Sequence, residues 1–166
     1  MKFKKALLLA MSTVVALSLA ACGTGKQTGS NDGGEGVPNP FTEYQTLVDA
    51  EQEAGFELHI PSPITGYDEP VYRLDEDDKL LEAIFENDEN TITFRKAAGD
   101  GDISGNYNVF PEVNEVELDG VIVTLKGAEG QVNVAIWDND GFAYSVSFTT
   151  AIDQDAMIDH VKTMMG

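Results

Sequence analysis

Residues 100–108, Asp-Gly-Asp-Ile-Ser-Gly-Asn-Tyr-Asn, set oxygen-bearing side chains two apart and then break the chain with a glycine. That is how a calcium loop begins. An EF-hand-type loop takes oxygen ligands at its first, third and fifth positions, glycine at the sixth, an apolar residue at the eighth and a bidentate glutamate at the twelfth. Asp100, Asp102, Ser104, Gly105 and Tyr107 fit in order, so Asp100, Asp102 and Ser104 are the candidate metal ligands. The twelfth position is Pro111, however, and Glu112 comes one residue late in a loop flanked by strand patterns rather than helices. The competing reading is a turn whose Asp and Asn side chains bond the local backbone.

Other constellations that do chemistry are sparse. His59 and His160 are the two histidines, and neither has a serine or cysteine partner in a nucleophile-elbow context. An acid-pair hydrolase acting on wall glycans needs two carboxylates set around a cleft, and the sequence selects no pair from its 29 acidic residues. The run Asp75 to Asp78 reads as a solvated turn. No catalytic residue is assigned, and the expectation is a protein that is not an enzyme.

Cys22 carries a different chemistry. Lys2, Lys4 and Lys5 precede an apolar stretch from Ala6 to Ala21, the layout of a secretory signal. The stretch ends in Leu-Ala-Ala-Cys, residues 19–22, which resembles the bacterial lipobox, in which the cysteine is diacylated and becomes the first mature residue. The expected organisation is a lipoprotein signal peptide over 1–21, a lipidated Cys22 with a flexible Gly-rich tether over 22–40, and one domain over 41–166. Such a chain is lipid-anchored to the outer face of the cytoplasmic membrane. Cys22 is the only cysteine, which leaves no disulfide or thiolate site within one molecule. The tether's random-coil reach is about 20 to 25 Å.

Charge narrows the partners. Three of the ten Lys and Arg residues lie before Cys22 and all 29 acids after it, so the mature chain carries 7 − 29 = −22 with neutral histidines. That field repels nucleic acid and anionic headgroups. It attracts divalent cations, basic peptides or a cationic wall component, or it serves solubility alone.

The elements that must position these residues follow from periodicity. Thr42 and Gln45 stand in capping-box spacing ahead of Leu47 and Val48, which predicts a helix from Phe41 to a stop at Gly55. Phe56 to Ile60 reads as a short strand ended by Pro61 and Pro63. Period-two alternation predicts strands over 79–87, 91–97, 113–118, 121–126, 131–137 and 142–149, with Asp119-Gly120 as the clearest hairpin turn. Asp153 caps a closing helix whose apolar face is Met157, Ile158, Val161, Met164 and Met165. The expected fold class is α+β: an N-terminal helix, a curved antiparallel meander of about six strands, and a C-terminal helix packed on the sheet.

Alternation also separates two faces. Phe142, Tyr144, Val146 and Phe148 are assigned to a bulky core face, and Ser145 and Ser147 to a smaller polar face together with Asn133 and Trp137. Asn133, Trp137, Ser145 and Ser147 are therefore the expected ligand-binding residues, with Trp137 as stacking anchor for a peptide, glycan or lipid chain; the alternative is a Trp137 buried as ordinary core.

Several spaced motifs carry a resemblance. Arg95-Lys96, Asp102 to Gly105 with Tyr107 and Asn108, Leu125 to Gly127, and Trp137, Gly141, Tyr144 and Ser145 follow the order R-K, D-I-S-G-x-Y-N, L-K-G, W-x-x-x-G-x-x-Y-S. This pattern resembles a family of small Firmicute lipoproteins and envelope proteins known as a domain of unknown function. The resemblance implies an α+β domain tethered outside the membrane and brings no catalytic residues. Arg95 and Lys96 are expected to pair with Asp100 and Asp102 and pin the loop. The functional expectation is a non-enzymatic binding, sensing or scaffold domain for an envelope protein, peptide or glycan, with a calcium-dependent envelope-binding module as the alternative and no other cofactor.

Overall fold

The computed structural model describes residues 39–166. The signal segment, Cys22 and the tether up to residue 38 lie outside the described residues. Among the described residues no helix is long and apolar enough to cross a membrane.

The chain runs β1 (Phe41–Tyr44), α1 (Leu47–Ala54), β2 (Val71–Asp75), β3 (Leu80–Glu86), β4 (Thr91–Ala98), β5 (Glu112–Leu118), β6 (Val121–Ala128), β7 (Gln131–Asn139), β8 (Phe142–Asp153) and α2 (Gln154–Met165). The strands form one antiparallel sheet in the order β1-β2-β3-β4-β8-β7-β6-β5. The α+β class stands, but the sheet has eight strands, not six, and is not one meander. Two four-stranded meanders meet through their last strands, β4 and β8. Because each neighbouring pair is antiparallel, β4 and β5 point the same way, and parallel strands of one sheet need a crossover connection. Residues 99–111 supply it as a strap running across one face of the sheet.

Local chemistry explains where the elements fall. Asp119 and Gly120 have φ of 50° and 87°, the positive pair that a two-residue type I′ turn requires. At the N-terminus, Phe41–Tyr44 is a strand paired with β2, not the first turn of a helix. The helix starts later because Thr46, not Thr42, is its cap: the Thr46 hydroxyl accepts from the Asp49 backbone N–H at 3.2 Å, and Gly55 ends the helix at φ 86° as expected. Phe56 to Ile60 is irregular rather than a strand, its Leu58 N–H donating to the Glu51 carboxylate at 2.7 Å. Asp75 is buried rather than solvated, and its carboxylate accepts from the N–H groups of Asp77 and Asp78 to close the β2–β3 turn.

The two faces differ sharply. One is the core: Leu74, Leu81, Phe85, Phe94, Leu125, Trp137 and Val146 are buried in one cluster with Ala50 and Ala54 of α1 and Met157, Val161 and Met164 of α2. His160 of α2 lies against the rings of Phe94 and Phe148; burial lowers its pKa, opposed in part by Asp159. The other face carries the strap.

Candidate functional site

The strap face is built on a row of directly opposed residues. Arg73 faces Glu82 across β2–β3, Glu82 faces Arg95 across β3–β4, and Arg95 faces Ser145 across β4–β8. Glu82 is 0% exposed. Its Oε1 accepts from Arg73 Nε at 2.7 Å and pairs with Arg73 Nη2, and its Oε2 accepts from Arg95 Nε and Nη2, each at 2.8 Å. A buried carboxylate is tolerated only when its oxygens are met in this way.

Arg95 also holds the strap. Its Nη1 donates to the Ile103 carbonyl at 3.1 Å. Gly105, at φ 65°, sits so close that a Cβ there would lie 2.3 Å from Nη1. Lys126 of β6 donates to Asp102 Oδ2 at 2.6 Å, and the Gly101 N–H donates to Asp138 of β7 at 3.0 Å. The strap is thus fixed to β4, β6 and β7.

These contacts correct the expected pairing. Arg95 pins the strap through the Ile103 carbonyl rather than through Asp100 or Asp102, and the partner of Asp102 is Lys126. Lys96 lies on the opposite, helix-covered face, because adjacent strand residues point to opposite sides. Its ammonium sits 4.4 Å from the Phe142 ring centre and 5.2 Å from that of Tyr144, and it donates to the Glu57 carbonyl at 2.8 Å.

Of the candidate metal ligands, Asp102 and Ser104 come together as a turn. Asp102 Oδ1 accepts from the Ser104 N–H at 2.9 Å and hydroxyl at 2.6 Å, while Oδ2 takes Lys126. Asp100 is exposed, and Glu112 is committed elsewhere, its carboxylate accepting from the N–H groups of Glu129 and Gly130 at the β6–β7 turn. Partial burial alone would raise the Asp102 carboxyl, but Lys126 and Ser104 outweigh it and hold the pKa below the usual aspartate range. The Asp102 carboxylate therefore stabilises the fold fully above the ordinary value of about 4, and this contribution fades as pH falls through the lowered folded value. Asp102→Asn is expected to cost about 0.5 to 1 kcal/mol at neutral pH, equally in EDTA and in calcium. Thermal melts of parent and variant should converge in acid; a calcium-dependent loss would contradict this.

Beside the strap lies a groove of about 310 Å³. Thr93 of β4, Ser147 of β8, Asn133 of β7 and Asn106, Asn108 and Phe110 of the strap line it, and its lining contains no charged side chain. The strap is folded by its own amides there: the Asn106 N–H donates to Ser104 Oγ at 3.2 Å and the Asn108 N–H to Asn106 Oδ1 at 3.1 Å.

The structure separates the four expected binding residues into two pairs. Asn133 and Ser147 line this groove. Trp137 is 3% exposed and stacks at 4° and 5.2 Å on Tyr144, in the core. The Asp140-Gly141 turn pairs Asn139 with Phe142, which brings Trp137 opposite Tyr144 rather than Ser145, and directly opposed residues share a face. Ser145 does point to the strap face but is fully buried. Trp137 Nε1 and Ser145 Oγ, both buried, have no hydrogen-bond partner among the described residues. Asn133 escapes the alternation because the β7–β8 register breaks between Val132 and Val134; its Nδ2 donates to the Phe148 carbonyl at 3.3 Å. Sequence reasoning missed Asn106, Asn108 and Phe110 as groove residues, since the strap's course is set by strand order.

The chain matches no protein-family model, no curated protein and no solved structure.

Proposed function

We propose that this protein is a non-enzymatic binding domain, lipid-anchored through Cys22 to the outer face of the cytoplasmic membrane, that presents its strap face to an envelope component. One observation carries the choice of face. Tyr107 and Val109 on the strap are 96% and 97% exposed, while α1 and α2 cover the other face. Two large apolar side chains standing almost wholly in solvent two residues apart are unusual for a surface without a partner.

The lipobox, the tether and the motif resemblance to small Firmicute envelope lipoproteins support the location. The groove's amide and hydroxyl lining, free of carboxylate, imidazole and thiol, supports binding rather than hydrolysis. The engagement of both Asp102 oxygens supports a strap ordered by protein contacts rather than by calcium.

Site-specific photocrosslinking in intact cells tests the reading. A photoreactive residue at Tyr107 or Val109 should capture one discrete envelope species, and the same residue at Val48, exposed on α1, should not. Equal capture from Val48, or none from the strap, would overturn it.

A further inference from the structure

Resting on that reading of the strap face, we propose that the groove between the strap and β4, β8 and β7 binds an uncharged, hydroxyl-rich ligand, a neutral glycan segment. The chain carries a net charge of −19, yet the groove lining holds no ionisable group. An anionic ligand meets the repulsive field of the surrounding acids with no cation in the groove to offset it, and a cationic ligand finds no carboxylate there.

What the groove does offer is neutral groups that both donate and accept. Among the described residues the Asn108 side-chain amide, Asn106 Nδ2, Asn133 Oδ1 and the hydroxyls of Thr93 and Ser147 bond to no other protein group. Sugar hydroxyls also donate and accept, so they match such a set atom for atom. Phe110 adds an apolar ring on which the C–H face of a sugar can lie.

A peptide fits this place less well. Peptides that add to sheets take main-chain hydrogen bonds from an exposed edge. The groove floor is the middle of the sheet, with β8 between β4 and β7, and offers no free strand edge. Where the β7–β8 register breaks in this groove, the Asn133 amide already donates to the Phe148 and Thr149 carbonyls, at 3.3 and 3.5 Å. A volume of about 310 Å³ lies at the low end of small-ligand pockets, which suits a short segment rather than a long chain.

The full chain in detergent micelles, isotopically labelled, reports on this directly through its asparagine side-chain amide resonances. The probes are chitotetraose and maltotetraose as neutral sugars, tetragalacturonate as an acidic sugar, and capped tetra-alanine as a neutral peptide. At least one neutral sugar should move the Asn106, Asn108 and Asn133 resonances together. Asn108→Ala and Thr93→Val, which break no protein hydrogen bond of those side chains, should each weaken that binding about tenfold, or about 1.4 kcal/mol, with unchanged melting temperature. No movement with either neutral sugar at about 10 mM, well above a Kd of about 1 mM, would overturn the proposal. So would an equal response to tetragalacturonate, or a response to tetra-alanine in place of sugar. Sugar binding lost while Tyr107 crosslinks persist would remove this inference alone; crosslinks lost while sugar binding persists would remove the reading of the contact face alone.

Discussion

An Arg95→Met variant is expected to lose about 3 kcal/mol or more of stability in urea unfolding. The substitution keeps the length and apolar stem of the side chain and removes only the guanidinium. Glu82, fully buried, then keeps Arg73 on Oε1 but loses both donors to Oε2. Removing one partner of a buried ion pair costs more than the pair is worth, because an uncompensated charge stays behind. The Ile103 carbonyl loses its donor as well, so the strap loosens in the same step. Arg95→Lys should recover part of the loss, since one ammonium cannot reproduce a fork that reaches Glu82 and Ile103 together. Replacing Arg73, Glu82 and Arg95 at once by methionine, leucine and methionine should recover most of the loss, because nothing charged is left in the site and only the Ile103 carbonyl still lacks its donor. A loss under about 1 kcal/mol for Arg95→Met would mean that Arg73 alone holds Glu82.

Gly127→Ala is expected to be as damaging for a purely steric reason. A Cβ at this position would lie 1.9 Å from the Gln131 carbonyl oxygen and 2.9 Å from both the Gln131 carbonyl carbon and Val132 Cα. All three are backbone atoms of β7, so no rotamer change relieves the contact. Gly127 sits where the β6–β7 register shifts, and the two strands approach closely because one has no side chain. The expected cost is about 3 kcal/mol, the upper end for overpacking, or a fall of about 10 °C in melting temperature for a domain of this size. Gly141→Ala is the control. It has φ 80° with open space around it, so it should pay only the left-handed backbone penalty of about 1 to 2 kcal/mol. Equal losses at the two glycines would show that conformation, not close approach, governs Gly127.

Much of the sheet was legible because its signals are local. The bounds of β3 to β8 follow alternation and turn chemistry; the structure trims β3 by one residue at each end and extends the others by one to four. The N-terminal strand stays hidden because the Thr42–Gln45 pair mimics a capping box ahead of Leu47 and Val48 and masks the Thr46–Asp49 cap. Val71–Asp75 is a strand only because β1 and β3 flank it, which is a tertiary fact. Trp137 was legible in principle: counting back through the Asp140-Gly141 turn puts it on the Tyr144 face. Asn133 shares the face of Ser147 as expected, but by a different route: an unbroken ladder counted from Trp137 would turn it to the core, and the register break that turns it toward the groove leaves no mark in the sequence. The motif residues divide in a way the pattern does not announce. Arg95, Asp102, Gly105 and Lys126 fasten the strap, while Lys96, Trp137 and Tyr144 stack on the other side of the sheet. Glu82, central to the first group, stood unremarked in an ordinary alternating strand.

The seam between β4 and β8 also sets an order of events for a newly made chain. β8 is the last made of these eight strands, yet it lies at the middle of the sheet, with Ile92 opposite Phe148 across a long separation in sequence. Contacts so distant along the chain close late and slowly. Until β8 arrives, β4 and β7 each present an unpaired edge with apolar side chains, the kind of edge that recruits other chains. The sheet therefore cannot be completed half by half during emergence. It closes once β8 is available, and a chain cut short before Phe142 loses its central strand rather than a tail.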